Sequence, residues 1–312
     1  MNTSSRIRVA ITGANGHIGL QLISRLIEEG YAVKALVRSA RAAAGVQARI
    51  EAMTGPAAVS AEVSVVDYGD PQQLADAVGS CEVVVHLVGI IKESPGNTFQ
   101  AAHEEACQAL VDAGLEAEQI ICLGIIGSDE NSENACLRSR GLAERILFKG
   151  DLPATVIRVP MVLGPDDYAS HALARNGRAS RVFSWRADSL EQPIDSRDVI
   201  SAILAVMKLP AASRLIELAG PESLSRRDLI ARAGRLFGNT PRVISLPLSL
   251  GLLLAGVLET LSARPPVTRA MLGVLDHDDR VDVGPACKLL SLDLTPLDET
   301  LRTVLRVEKE TV

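Results

Sequence analysis

The segment Thr12-Gly13-Ala14-Asn15-Gly16-His17-Ile18-Gly19 carries the clearest chemistry in this chain. It follows an apolar run, Ile7 to Ile11, and precedes an amphipathic one, Leu20 to Ile27. Strand, glycine turn and helix in that order form a dinucleotide-binding unit. In such a unit Gly13 permits the tight turn out of the strand. Gly16 removes a Cβ that would block a pyrophosphate, and Gly19 lets the helix pack closely. Free N–H groups at the helix start, with the positive end of its dipole, then face the phosphates. Ala14, Asn15, His17 and Ile18 complete the expected cofactor-binding segment.

Arg38 ends the second predicted strand and is followed by Ser39 and Arg41. Where a fold of this kind selects NAD, an acidic residue stands there and bonds the ribose 2′-OH. A guanidinium instead pairs a 2′-phosphate through two parallel hydrogen bonds. NADP(H) is therefore the preferred cofactor. NAD(H) stays as the alternative, because arginine also stacks on adenine. Asp67, after the third strand, reads equally as an adenine contact or as a surface residue. Val88 and Gly89 end the fourth strand, where backbone passes the cofactor, and Pro160 and Met161 follow the sixth and should border the nicotinamide.

These residues need a scaffold, and the first half of the chain supplies an alternating one. Short Val/Ile/Leu-rich strands are predicted over 8–11, 33–37, 62–66, 83–88, 120–123 and 155–159, as in buried parallel sheets. Helical patterns cover 17–29, 71–78, 99–113 and 135–149, with Asp70 and Pro71 marking a helix start. The segment 39–61 reads as a loop with one short helix. The alternation implies an α/β fold, a doubly wound parallel Rossmann sheet. After Gly164-Pro165 the pattern changes. Residues 166–185 show little period. A strand follows over 190–194, then a helix over 196–208, a strand over 215–218 and a helix over 224–237. Helix-like stretches cover 248–261, 267–275 and 297–307. The expected organisation is a dinucleotide-binding domain over 1–164 and a smaller C-terminal α+β cap over 165–312, with some interleaving of the two.

Composition narrows the class. Among 312 residues, 47% are hydrophobic but only 3% aromatic, so the core must be aliphatic. The net charge of −6 offers no basic field to nucleic acid. Cys81, Cys107, Cys122, Cys136 and Cys287 are scattered without C-x-x-C spacing. They read as reduced thiols and not as a metal site. A polar start, Met1 to Arg6, leads directly into a strand, so a cytoplasmic location is expected.

With the glycine turn and strand ends in place, the chain resembles the extended and atypical short-chain dehydrogenase/reductase superfamily. Within it, the chain is most similar to the reductase-like accessory subunit of respiratory complex I and its bacterial relatives. The matching stretches are Val88-Gly89-Ile90-Ile91 with Thr98-Phe99 and His103-Glu104, and Ile157-Arg158-Val159-Pro160 with Gly164-Pro165. Ala219-Gly220-Pro221-Glu222 and Thr295-Pro296-Leu297 also fit. Active members carry a Tyr-x-x-x-Lys pair and an upstream Ser. The resemblance puts Cys136 at the tyrosine, Arg140 at the lysine, and Gly124-Ile125-Ile126, without a hydroxyl, at the serine. Arginine does not shuttle protons near neutrality. Ile125 cannot bond a carbonyl oxygen, and a thiol is shorter than a phenol. Tyr168, near Asp166, Asp167 and His171, is a stand-in acid or part of a polar loop. Tyr68 lies towards the adenine end. His103-Glu104-Glu105 lacks the second His of a zinc helix, and His277-Asp278-Asp279 reads as a charged turn.

The stretch Leu246 to Leu261 reads as a core or homodimer helix. Its alternative is a face towards a membrane complex, which the resemblance implies, with a peripheral location at the inner face of a membrane. The lack of Lys between Asn239 and Ala286 weighs against anionic lipid. Two functions follow. One is an NADP(H)-binding accessory, assembly or sensor protein near a quinone-linked membrane system, with degraded Ser, Tyr and Lys positions. The other is an NADP-dependent oxidoreductase acting on an isoprenoid or lipid-like substrate.

Overall fold

The computed structural model describes residues 7–54, 61–262 and 265–305. The polar N-terminus Met1 to Arg6, Arg264 and the end of the last expected helix, 306–307, lie outside the described residues.

The first half alternates as its sequence pattern requires. The elements are β1 (Arg8–Thr12), α1 (His17–Glu28), β2 (Ala32–Val37), α2 (Ala40–Thr54), β3 (Ala61–Val65), α3 (Pro71–Val78) and β4 (Val83–His86). A π-helical segment, Gln100–Glu105, runs into α4 (Ala106–Asp112), followed by β5 (Gln119–Ile125), α5 (Ala135–Lys149) and β6 (Ala154–Val159). Then come β7 (Val162–Leu163), α6 (Tyr168–Arg178), β8 (Arg181–Trp185), β9 (Leu190–Glu191), β10 (Ile194–Asp195), α7 (Ser196–Lys208) and β11 (Arg214–Glu217). The chain closes with β12 (Leu224–Ser225), α8 (Arg226–Leu236), β13 (Arg242–Leu246), α9 (Leu248–Leu261), α10 (Arg269–Gly273), α11 (Gly284–Leu290) and α12 (Leu297–Val304).

The central sheet has seven strands in the order β11-β6-β5-β4-β1-β2-β3. β1 pairs in parallel with β2 and β4, β2 with β3, and β4 with β5. This is the doubly wound α/β arrangement. Strand order reverses between β1 and β4, and in open α/β sheets ligands bind beyond the strand ends at such a switch point. The chain ends of both strands, Gly13 and Leu87 to Gly89, therefore lie where a dinucleotide belongs.

The chain forms two compact units. The first comprises 1–124, 128–157 and 203–216, and the second 125–127, 158–202 and 217–312. An aliphatic cluster including Ala10, Leu36, Val84, Leu110, Ile120, Leu147 and Val156 fills the first. Leu163, Leu173, Val182, Leu229, Ile230, Leu297 and Leu301 belong to the core of the second.

Three expectations need correction. Residues 40–54, expected within a loop with one short helix, form the fifteen-residue α2. Among the described residues there, Val46 and Ile50 alone bury large side chains, so the apolar period is thin while alanine sustains the helix. Residues 166–185 contain α6 and β8 instead of irregular chain. Asp167 caps α6 by accepting the Ser170 N–H, and the helix buries Ser170, Leu173, Ala174 and Gly177. The stripe has helical spacing but mostly small side chains. The strand expected over 190–194 is two short strands, β9 and β10, each with a different partner.

Candidate functional site

β1 delivers the chain to Gly13, whose φ of +71° is a left-handed conformation that glycine adopts freely. A β-carbon there would lie 3.0 Å from the Leu87 carbonyl carbon, so the turn also needs glycine for space. The Gly13 N–H donates to the Tyr68 hydroxyl at 2.7 Å, and that hydroxyl donates to the Leu36 carbonyl at 2.6 Å. Burial pushes the Tyr68 phenol up to about 12, so it stays neutral and acts as a strut for the turn. Gly16 caps α1 without a side-chain hydrogen bond. The first N–H groups of the helix thus have no side-chain acceptor, and an anion is their natural partner. A β-carbon on Gly19 would lie 2.7 Å from the Ala14 carbonyl oxygen. Asn15 is exposed, while His17 and Ile18 are half-buried. This turn fits a dinucleotide pyrophosphate by its backbone shape.

Arg38 is exposed at the end of β2, and its Nη1 donates to Asn97 Oδ1 at 2.8 Å. The Ser39 hydroxyl accepts the Ala42 N–H at 3.2 Å and so starts α2. Arg41 is exposed on that helix. Asp67 is exposed, and its Oδ1 accepts the Gly69 N–H at 3.0 Å. Val88 is buried and Gly89 exposed.

The first turn of α5 decides what chemistry follows. Asn134 caps it by accepting the N–H groups of Cys136 and Leu137. Cys136 is fully buried, and its thiol donates to the Ile90 carbonyl at 3.6 Å. Burial raises its pKa against the opposing field of Arg140, so the thiol is protonated and turned inward. Arg140, one turn on, donates from Nη1 to the Leu123 carbonyl at 3.2 Å. Its guanidinium fills the place a β-carbon on Gly89 would occupy. The first unit thus brings Gly89, Cys136 and Arg140 together.

Ile125, Pro160, Met161 and Tyr168 belong to the second unit. Ile125 ends β5 and is half-buried, as are Pro160 and Met161. Met161 packs on the core of that unit. Tyr168 begins α6 with 77% of its surface exposed, where the sequence suggested a polar loop.

Two groups of residues were not singled out as sites by the sequence. His86, at the end of β4, places Nδ1 2.8 Å from the Thr12 hydroxyl. His103, in the π-helical segment, receives the Ile90 N–H on Nε2 at 3.1 Å. Both histidines are driven down to about 3, chiefly by burial and next by Arg140. A π-helical turn often marks a functional position, but no sequence period announces it. In the second unit His277 Nε2 lies 3.0 Å from Asp279 Oδ1, and the ring lies 3.6 Å from where a Gly127 β-carbon would be. The hydrogen bond to Asp279 raises the His277 pKa. Nearby Glu191 pairs with Arg226, yet burial holds its carboxyl above the usual range.

Residues 13–189, more than half of the chain, match the family model described as NAD(P)H-binding. The chain belongs to the NAD(P)H-binding family. It is 26% identical to ceramide reductase of Caulobacter vibrioides over 302 residues, 95% of this chain and 88% of that protein. It is 23% identical to the photosystem II assembly factor Ycf39 of Cyanophora paradoxa over 248 residues, 77% of this chain and 72% of that one. The structure of a Citrobacter triphenylmethane reductase superposes with a TM-score of 0.73 at 18% identity, covering 96% of this chain and all of that one. These matches agree with the atypical short-chain dehydrogenase/reductase superfamily that the sequence resembles. Among the described residues no group of three or more His, Cys, Asp or Glu side chains could hold a metal ion. No helix among them is long and apolar enough to cross a membrane.

Proposed function

We propose that this member of the family binds NADP(H) and does not run the Tyr-Lys proton transfer of its active relatives, serving as an accessory, assembly or redox-sensing protein. The observation that carries this reading is Cys136, a buried thiol hydrogen-bonded to Ile90 at the position the resemblance gives to the tyrosine. A general acid must reach the atom that receives its proton, and this thiol faces a backbone carbonyl. Arg140 stands beside it, and arginine is not a residue that shuttles protons near neutrality. Arg38 and Arg41 favour a 2′-phosphate over a bare ribose hydroxyl. A partner of the apolar kind suits α9, which leaves Leu250, Leu253, Leu254, Val257 and Leu261 exposed. The name of the relative Ycf39, a photosystem II assembly factor, supports an assembly role, and a quinone-linked membrane system is the proposed setting. Residues 13–19, 38, 39, 41, 67, 88 and 89 of the first unit form the proposed cofactor contacts. The test is to follow nucleotide binding and nucleotide oxidation in one sample. Tight binding without oxidation supports the proposal, and steady oxidation with a carbonyl substrate removes it.

The near full-length match to a protein named ceramide reductase favours a second reading, an NADP-dependent reductase of a lipid-like carbonyl compound. In that reading the proton comes from a residue other than Cys136. Long-chain ketones with NADPH test it. Steady turnover that survives Cys136→Ser would establish it, and no turnover with any such ketone would remove it.

A further inference from the structure

Within the first unit a small cavity of about 10 Å³ is lined by His86, His103, Cys107, Cys122, Arg140 and Glu144, among others. That is room for about one water-sized centre. Three buried nitrogens on its lining residues, His86 Nε2, His103 Nδ1 and Arg140 Nε, have no hydrogen-bond partner among the described residues. Buried polar atoms are normally paired, so three on the lining of one cavity point to a ligand.

The hydrogen bonds around them set which kind. Ile90 offers both its N–H and its carbonyl to His103 Nε2, each at 3.1 Å. The carbonyl already receives the Cys136 thiol at 3.6 Å. The Ile90 N–H then needs Nε2 as its acceptor, which puts the imidazole proton on Nδ1. Arg140 Nε always carries a hydrogen. The Thr12 hydroxyl lies 2.8 Å from His86 Nδ1, and in the tautomer that accepts its proton His86 likewise presents Nε2–H. In these tautomers each of the three residues on the cavity lining carries an unpartnered N–H.

We propose that this cavity is a binding site for one small hydrogen-bond acceptor, a halide ion or a water oxygen, held by His86, His103 and Arg140. The guanidinium charge and the Arg140 Nε–H disfavour a cation. Arg140 favours the halide and the Glu144 carboxylate on the same wall opposes it, so the two occupants are separated by experiment. The bound acceptor would fix the inner edge of Arg140 while Nη1 holds Leu123. The guanidinium is thereby kept against Gly89. The proposal does not depend on whether the protein turns over a substrate.

Crystals of the full chain grown from bromide salt, with data collected at the bromine edge, test it. One peak within about 3.5 Å of all three nitrogens is expected. An anomalous peak identifies a halide, and a non-anomalous one a water; either upholds the site. A dry cavity, or side chains turned to pair with protein atoms, overturns it. Nitrogen-15 NMR of His103 gives a second measurement on the unaltered protein in solution. The Nδ1-protonated tautomer is expected, and a proton on Nε2 would break the donor set.

Discussion

The guanidinium of Arg140 occupies the space beside Gly89 that any larger residue would need. Gly89 lies just beyond β4, beside the turn made by Gly13, so this contact ties α5 to the proposed cofactor end of the sheet. Gly89→Ala should displace Arg140 and weaken NADPH binding about tenfold, roughly 1.4 kcal/mol. Gly45→Ala is the control. Gly45 lies within α2 with nothing near a new β-carbon, and the change should add about 0.5–1 kcal/mol of stability. Nucleotide titration and thermal melting of both variants check the pair.

Tyr68→Phe removes one hydroxyl and two hydrogen bonds. The Gly13 N–H and the Leu36 carbonyl lose their partner at the foot of the glycine turn. A cost of about 1–3 kcal/mol is expected, with weaker NADPH binding because the turn loses its strut. Denaturant unfolding with and without nucleotide measures both effects. An unchanged midpoint and affinity would remove Tyr68 from this role.

Arg38→Ala should lower affinity for NADPH more than for NADH. A charge-assisted contact to a 2′-phosphate is worth about 1.5–3 kcal/mol. In the structure Arg38 holds Asn97, so it must exchange that amide for the phosphate on binding. Fluorescence titration with the two nucleotides decides it. Equal losses for both would contradict the assignment.

His86 and His103 give the fold a pH dependence with a fixed sign. Their folded values lie near 3, below the ordinary value for an unfolded histidine, about 6.5. The unfolded chain therefore binds more protons between these limits. Their contribution is fully present above about pH 6.5 and is lost as pH falls towards 3. At pH 5 each histidine should cost about 2 kcal/mol relative to neutrality. Urea unfolding across this range should show the loss, and His103→Phe should make it shallower.

Much of the fold of the first unit was readable in the sequence because its signals are local. Gly13, Gly16 and Gly19 each act within the same turn, and β1 to β6 are short aliphatic runs between helices. Asp70 caps α3 through the N–H groups of Gln72 and Gln73, as the residue order Asp-Pro suggests. The buried cluster was not readable. It joins Thr12, His86, His103 and Arg140 across most of the first unit, and its meaning lies in unpaired nitrogens. α6 escaped notice because Ser170, Ala174 and Gly177 form a stripe of small residues. β8 pairs with β13 across more than fifty positions, a relation that no local period reveals. His277 looked like a charged turn because its neighbour Gly127 is remote in sequence.

A glycine turn shaped for a nucleotide stands in the same unit as a buried thiol at the proposed proton-donor position, and one experiment addresses both. Purified protein is mixed with NADPH and a panel of ketones, aldehydes and long-chain carbonyl compounds. Nucleotide fluorescence reports binding, and absorbance of the reduced nicotinamide reports oxidation. Saturable binding, little or no loss of absorbance, and the same outcome for Cys136→Ser are expected. Robust oxidation by the natural protein, abolished in Cys136→Ser, would contradict that expectation.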